Sequence, residues 1–340
     1  MTHFLSQIHL IQAKLLSWYS ENQRVLPWRK QPVDPYHILV SEVMLQQTTV
    51  ATVTGYFSKF LARWPTIKDL AMASHDELMQ VWQGLGYYSR ARNLHKTAKI
   101  ITDQHHGIIP SSYQSLITLP GLGSYTAAAI ASIAFKEPVI AIDTNVNRVL
   151  CRLFAISSSG TQQKKQVQAI ADQLVHTHHS GALSQALMDV GSNFCKAKNP
   201  RCMDCFLKSD CIAFSKNLQN VLPKRPEKPI RPKRYGHSFI MRNADQICIE
   251  KRPEKGLLAG LYQFPSSEFL SEKTKADYPV NGKWVHIGTV RHIFTHFELE
   301  LTLWELFVSN TNEGLWTDIN QLSNYGLPTM FRKALTYIKT

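Results

Sequence analysis

The segment "LPGLGSYTAAAI" (residues 119–130) decides how the chain is read. Pro120, Gly121 and Gly123 form a tight turn, and an apolar helix follows. Glycine admits positive φ and lets a neighbouring backbone come close. The helix that starts here offers unpaired N–H groups and the positive end of its dipole, which suits a phosphate. The pattern is that of a helix–hairpin–helix. An isolated PG-x-G match is an ordinary helix–helix turn, so the flanking sequence has to carry the assignment.

Twenty residues on, "AIDTNVNRV" (141–149) sets Asp143 after an apolar stretch and before Thr144 and Asn145, the position of a helix cap. Then come Cys195, Cys202, Cys205 and Cys211, spaced C-x6-C-x2-C-x5-C. Four clustered cysteines in an intracellular chain favour metal over disulfides. Zinc and a 4Fe–4S cluster both take four thiolates. Only one C-x2-C pair is present, and that spacing favours iron–sulfur. Lys196, Lys198 and Arg201 fill the first gap and put positive charge on a surface loop. Cys151 and Cys248 stand apart as core thiols.

The chain has 340 residues, enough for about two domains, and a formal net charge of +13. So basic a protein points to a polyanion, nucleic acid first. Residues 107–135 carry no charge, but Pro110, Pro120, Gly121 and Gly123 break them. Only Tyr125–Phe135 could be one apolar helix, too short to span a bilayer. The expectation is a soluble, cytoplasmic protein working at the nucleoid, with no secretory signal.

Residues 1–222 show apolar spacing of three and four, as at Ile8, Ile11, Leu15 and Trp18, and read as helical. "LPKRPEKPIRPKR" (222–234) holds four prolines and six basic residues, which makes 223–234 an extended basic linker. Beyond it, "FIMR", "NAD" and "QICIEK" read as a β-hairpin. "FELELTLWELF" (297–307) alternates, with Phe297, Leu299, Leu301 and Leu303 on one face. A last helix is expected near 328–338. Residues 235–340 form an α+β domain.

The proline–glycine hairpin, the aspartate beyond it and the cysteine spacing together resemble the endonuclease III superfamily of helix–hairpin–helix DNA glycosylases. The resemblance implies a mainly α N-terminal region: a helical barrel over about 25–135, and an iron–sulfur half from 1–24 and 136–222. Relatives that also cut the strand carry a lysine in the helix after the hairpin, because an amine must form the Schiff base. This chain has Tyr125 there, and Asn147 at a second such position, so a monofunctional glycosylase is implied. "SEVMLQQT", "LPWR" (26–29) and "GLGYYSRARNL" (84–94) narrow the match to the adenine DNA glycosylase (MutY) family. That family removes adenine opposite 8-oxoguanine. "RHIFTHFELEL" (291–301) is similar to its oxidised-guanine loop, with Phe294, Thr295 and His296 where the usual pattern is Phe-Ser-His. The C-terminal region resembles a Nudix fold through "GLLAGLYQFP" (256–265). "SSEFLSEKTKADYP" lacks the Arg-Glu…Glu-Glu helix that holds magnesium, so no pyrophosphatase activity is expected.

Hydrolysis of the adenine glycosidic bond wants an acid for the base and a carboxylate for the cationic sugar. "LVSEVMLQQTTV" (39–50) reads as a buried helix with one acid, Glu42, whose burial favours the neutral form of a general acid. Asp143, at a helix start, favours the ionised form. The resemblance adds Tyr125 and Asn145 as supporting residues. Tyr87 suits a wedge that fills a vacated stack. Gln46, Gln47, Leu45, Arg29, Gly121 and Gly123 complete the expected DNA contacts, with Trp28 beside the base pocket or in the core. The implied partner is duplex DNA with an A:8-oxoguanine or A:G mispair, met by a monomer. The competing readings are a glycosylase for thymine opposite guanine and a non-catalytic iron–sulfur DNA-binding protein.

Overall fold

A computed structural model describes residues 2–175, 178–224, 231–253, 256–294, 296–309 and 314–338. The chain divides into two compact units, Met1–Pro226 and Glu227–Thr340. Residues 225–230 of the proline-rich segment lie outside the described residues. Its last two residues, Lys233 and Arg234, belong to a strand and not to a linker.

The first unit is helical: α1 (Thr2–Asn22), α2 (Pro35–Leu45), α3 (Val50–Arg63), α4 (Ile67–Met72), α5 (His75–Trp82), α6 (Ser89–Gln104), α7 (Tyr113–Leu116), α8 (Ser124–Phe135), α9 (Thr144–Leu153), α10 (Gly160–Gln173), α11 (Ser180–Asn193) and α12 (Ile212–Ser215). Local sequence starts many of these. Asp34 accepts from the Tyr36 N–H ahead of α2, with Pro35 in the first turn. Thr66 with Asp69, and Ser74 with Glu77, form capping boxes for α4 and α5.

The stretch 39–50 is not one helix. α2 ends at Leu45, Gln47 takes φ 60°, and Thr49 caps α3. The left-handed residue and the cap close one helix and open the next, which turns Gln46 and Gln47 off the core-facing surface.

Two cores form in this unit. One gathers side chains between Trp28 and Ala131 from α2–α6 and α8, including Trp28 itself against Phe57. The other joins Ile8, Ile11, Leu15 and Tyr19 of α1 to residues from Ala128 to Leu207. α8 serves both: Ala127, Ile130 and Ala131 face the first core, Ala128 and Ala129 the second. A helix buried on all sides must be apolar all round, which explains the uncharged "TAAAIAS". Small residues bring its neighbours close. A Cβ on Gly181 of α11 would stand 2.5 Å from the Ser132 carbonyl oxygen of α8. The hairpin therefore starts a helix wedged between the two halves, with Tyr125 in its first turn.

The second unit is a six-stranded mixed sheet: β1 (Lys233–Asn243), β2 (Gln246–Lys251), β3 (Tyr262–Gln263), β4 (Val285–Ile293), β5 (Glu298–Phe307) and β6 (Leu315–Asp318). The order is β3-β2-β1-β5-β4, with β6 also on β2. β1 and β2 pair across Ala244 and Asp245 as the hairpin expected around "NAD". β1 runs parallel to β5 from Lys233↔Glu298 to Arg242↔Phe307. Leu299, Leu301 and Leu303 fill one face against Met330, Phe331 and Ala334 of α13 (Thr329–Ala334). Pro328 precedes α13, and a 3-10 turn at Leu335–Tyr337 ends it.

Candidate active site and DNA-facing cleft

Three elements of the helical unit converge. α2 supplies Glu42, α8 supplies Tyr125, and the N-cap of α9 supplies Asp143. Glu42 is 5% exposed and accepts a 2.7 Å hydrogen bond at Oε2 from the Tyr125 hydroxyl. Burial pushes its carboxyl up to about 7. The Tyr125 hydrogen bond works against that rise, nearby Asp143 adds to it, and Arg29 opposes it. Burial and the charge of Glu42 hold the Tyr125 phenol well above its ordinary value, so it stays a donor.

Asp143 is also raised by burial, a departure from the simple contrast read in the sequence. What separates the two carboxyls is the number of donors. Asp143 accepts from the Val146 N–H at 2.7 Å and the Asn145 amide at 2.8 Å, and Arg148 adds positive charge nearby. Glu42 has one neutral donor. Hydrogen bonds to the charged form favour it, so Asp143 is the better-supported anion. Asn145 is held in turn by Arg148, whose guanidinium donates at 2.8 Å to its Oδ1 and at 2.9 Å to the Gly191 carbonyl. Gly191 is needed there, since its Cβ would lie 2.6 Å from that of Asn145.

Arg29 does not face outward. Its guanidinium forks onto Asp189 of α11, Nη1 to Oδ2 at 2.7 Å and Nη2 to Oδ1 at 3.2 Å. Arg24 joins the same carboxylate at 2.5 Å. Asp189 is fully buried and needs both cations. The expected DNA contact at Arg29 is therefore corrected to a buried ion pair behind Glu42. Asp189, Arg24, Arg148 and Arg90 were not singled out from sequence. An acid inside the apolar run "ALMDVG" is the same kind of signal that marked Glu42, and it could have found Asp189.

One turn from Glu42, Gln46, Gln47, Tyr87 and Gly121 line a cleft of about 180 Å³ with Val43, Asn93 and Pro120. Gln46 donates to Thr126 Oγ1 at 3.1 Å and Gln47 is exposed. Tyr87 is 57% exposed with φ 48°. Leu45 is half-buried against the first core. Gly121 has φ 78°, and a Cβ would stand 2.7 Å from that of Asn93, so only glycine fits. Gly123 caps α8 with no side-chain partner, leaving the helix start open.

Cys195, Cys202, Cys205 and Cys211 line one small apolar cavity of about 30 Å³ beneath α9. Among the described residues, no group of three or more His, Cys, Asp or Glu side chains converges tightly enough to hold a metal ion. The donor chemistry is that of a four-thiolate set: the four cysteines line the same void, and Arg152 donates to Cys195 Sγ at 3.4 Å.

In the second unit, Phe294 and His296 lie in the turn between β4 and β5, and Thr295 lies outside the described residues. Phe294 is half-buried and stacks on Phe297 with centroids 4.7 Å apart, while His296 is exposed. No described helix is long and apolar enough to cross a membrane.

Comparison with known proteins bears on the family and the fold. Residues 40–177 match the HhH-GPD superfamily of base excision DNA repair proteins, and residues 237–337 match the NUDIX domain. The helical fold is similar to that of a thermostable thymine-DNA glycosylase (TM-score 0.56, 26% identity, 62% of this chain and 98% of that one). It is also similar to a non-covalent endonuclease III–DNA complex (TM-score 0.54, 25% identity, 63% and 98%). Fold and site thus define a helix–hairpin–helix DNA glycosylase of base excision repair with a Nudix-like second unit.

An adenine DNA glycosylase of Buchnera aphidicola subsp. Baizongia pistaciae is 35% identical over 96% of this chain and 95% of its own length. The human adenine DNA glycosylase is 34% identical over 89% of this chain and 68% of its own. The chain belongs to the adenine DNA glycosylase family.

Proposed function

We propose that the chain hydrolyses the N-glycosidic bond of adenine mispaired with 8-oxoguanine or guanine in duplex DNA. The hydrogen bond from Tyr125 to the buried Glu42, beside Asp143, carries this reading. Glu42 gives its proton to N7 of adenine as the bond to C1′ lengthens, so the base leaves neutral. Asp143, steadied by Val146 N–H and Asn145, stabilises the cationic sugar, and water adds its hydroxyl to C1′ while its other proton restores Glu42. Tyr125 stands where a lyase needs an amine, which supports a monofunctional reaction.

Duplex DNA meets the open start of α8 with its phosphate, and the cleft of Gln46, Gln47 and Tyr87 with the vacated stack. The exposed His296 suits contact with the oxidised guanine, with Thr295 beside it in sequence. Cys195, Cys202, Cys205 and Cys211 are the residues that would hold a 4Fe–4S cluster, tying the 195–211 segment to α9 and leaving base removal to Glu42 and Asp143. The Nudix-like unit serves as a reader without pyrophosphatase activity.

Single-turnover cleavage of duplexes holding A opposite 8-oxoguanine, A opposite G and T opposite G tests the reading. Adenine should be released from the first two. Retention of adenine in both, or release of thymine in preference, would refute it. Hydrolysis of 8-oxo-dGTP by the purified protein would overturn the reader role.

A further inference from the structure

Arg90 has no role in the chemistry above, yet it is the most heavily engaged guanidinium of the cleft. It is 6% exposed, and the hydrogen bonds it donates all go to neutral carbonyl and hydroxyl oxygens. Nη1 donates to the Val43 carbonyl at 3.1 Å and the Met44 carbonyl at 2.6 Å. These belong to the last turn of α2, where carbonyls lack helical partners and the dipole is negative. Nη2 donates to Thr48 Oγ1 at 3.1 Å, the Leu85 carbonyl at 3.0 Å and the Gly86 carbonyl at 3.1 Å. The carbon of the guanidinium lies 5.4 Å from the Trp82 ring and 5.5 Å from the Tyr87 ring.

Two separate turns thus end on one planar group. One carries Gln47 at φ 60°, the other Gly86 at φ 70° and Tyr87 at φ 48°. A left-handed non-glycine residue persists only where its surroundings over-determine it. Lysine could not replace the fork, because a single ammonium cannot reach both sides with fixed geometry.

We propose that Arg90 is a positioning residue that staples the Gln46–Gln47 turn to the Tyr87 turn, so that the wedge and the base-reading amides enter the duplex as one preformed unit. The proposal rests on the reading of Tyr87 as the wedge. Its consequence is kinetic: the staple speeds extrusion of the base and leaves the acid–anion chemistry of Glu42 and Asp143 untouched.

The test follows extrusion by stopped-flow fluorescence of 2-aminopurine placed opposite 8-oxoguanine in a duplex. Arg90→Lys, Tyr87→Ala and the double variant are compared with the parent, alongside duplex binding. Arg90→Lys should slow extrusion at least tenfold while binding stays within about threefold. In the Tyr87→Ala background the same change should cost less than threefold, because the group it positions is gone. A parental extrusion rate in Arg90→Lys, or fully multiplicative effects, overturns the staple. A parental rate in Tyr87→Ala overturns the wedge reading instead, so the two failures are distinct. Should Arg90→Lys fail to fold, hydrogen exchange of the parent decides. Amides at 46–49 and 84–88 should open together with one protection factor, and unrelated openings refute the staple.

Discussion

Replacing Glu42 with glutamine should remove activity and stabilise the protein at alkaline pH. In the folded chain the carboxyl is held up at about 7, against 4.5 when unfolded. Between those values the folded state binds more protons than the unfolded state, so stability falls as pH rises through that window. Above it, the buried charge costs the fold about 3 kcal/mol. Glutamine carries no proton to lose, and its carbonyl still accepts from Tyr125. The stability difference, Glu42→Gln minus parent, should therefore grow by about 2–3 kcal/mol from pH 5 to pH 9. For a unit the size of Met1–Pro226, that is about 5–10 °C in Tm. Thermal denaturation of both proteins at the two pH values measures it, and titrations of groups remote from Glu42 cancel in the difference. A gap that does not change with pH would show that Glu42 is not held protonated by burial, and the acid assignment would fall with it. The same variant should excise no adenine yet bind duplex within about tenfold, roughly 1.4 kcal/mol.

The single-turnover excision rate of the parent should fall about tenfold per pH unit well above 7, as Glu42 loses its proton; a flat profile to pH 9 contradicts the assignment. Asp189→Asn leaves the buried Arg29 partly unpaired, with the part-exposed Arg24 beside it, and should destabilise the fold by about 3 kcal/mol in urea titration. Gly191→Ala drives a methyl into Asn145 and should cost about 1–3 kcal/mol, with excision reduced more than duplex binding because Asn145 holds Asp143. Iron and sulfide analysis of the purified protein should find a cluster, and Cys202→Ser should lose its visible absorption; stoichiometric zinc would replace that assignment.

Much of the fold was legible along the chain. Alternation in β5 and the apolar girth of α8 follow from period and burial, which a sequence displays directly. Caps such as Asp143 are legible too, because their partners lie within three residues. The break between α2 and α3 was missed. Its signals, a left-handed Gln47 and a Thr49 cap, are weak beside the apolar residues on either side.

By itself, then, the sequence determined the helical class of the first unit, the hairpin, the cysteine spacing and the alternating strand, all properties of neighbours in the chain. Tertiary structure alone decided which polar groups meet. Tyr125 reaches Glu42 across 83 residues, and Arg29 reaches Asp189 across 160. It also decided that Arg29 is spent inside the protein and that Arg90 joins two turns. Helix packing sets those encounters, and burial, which raises Glu42 toward neutrality, exists only once the helices have closed around it.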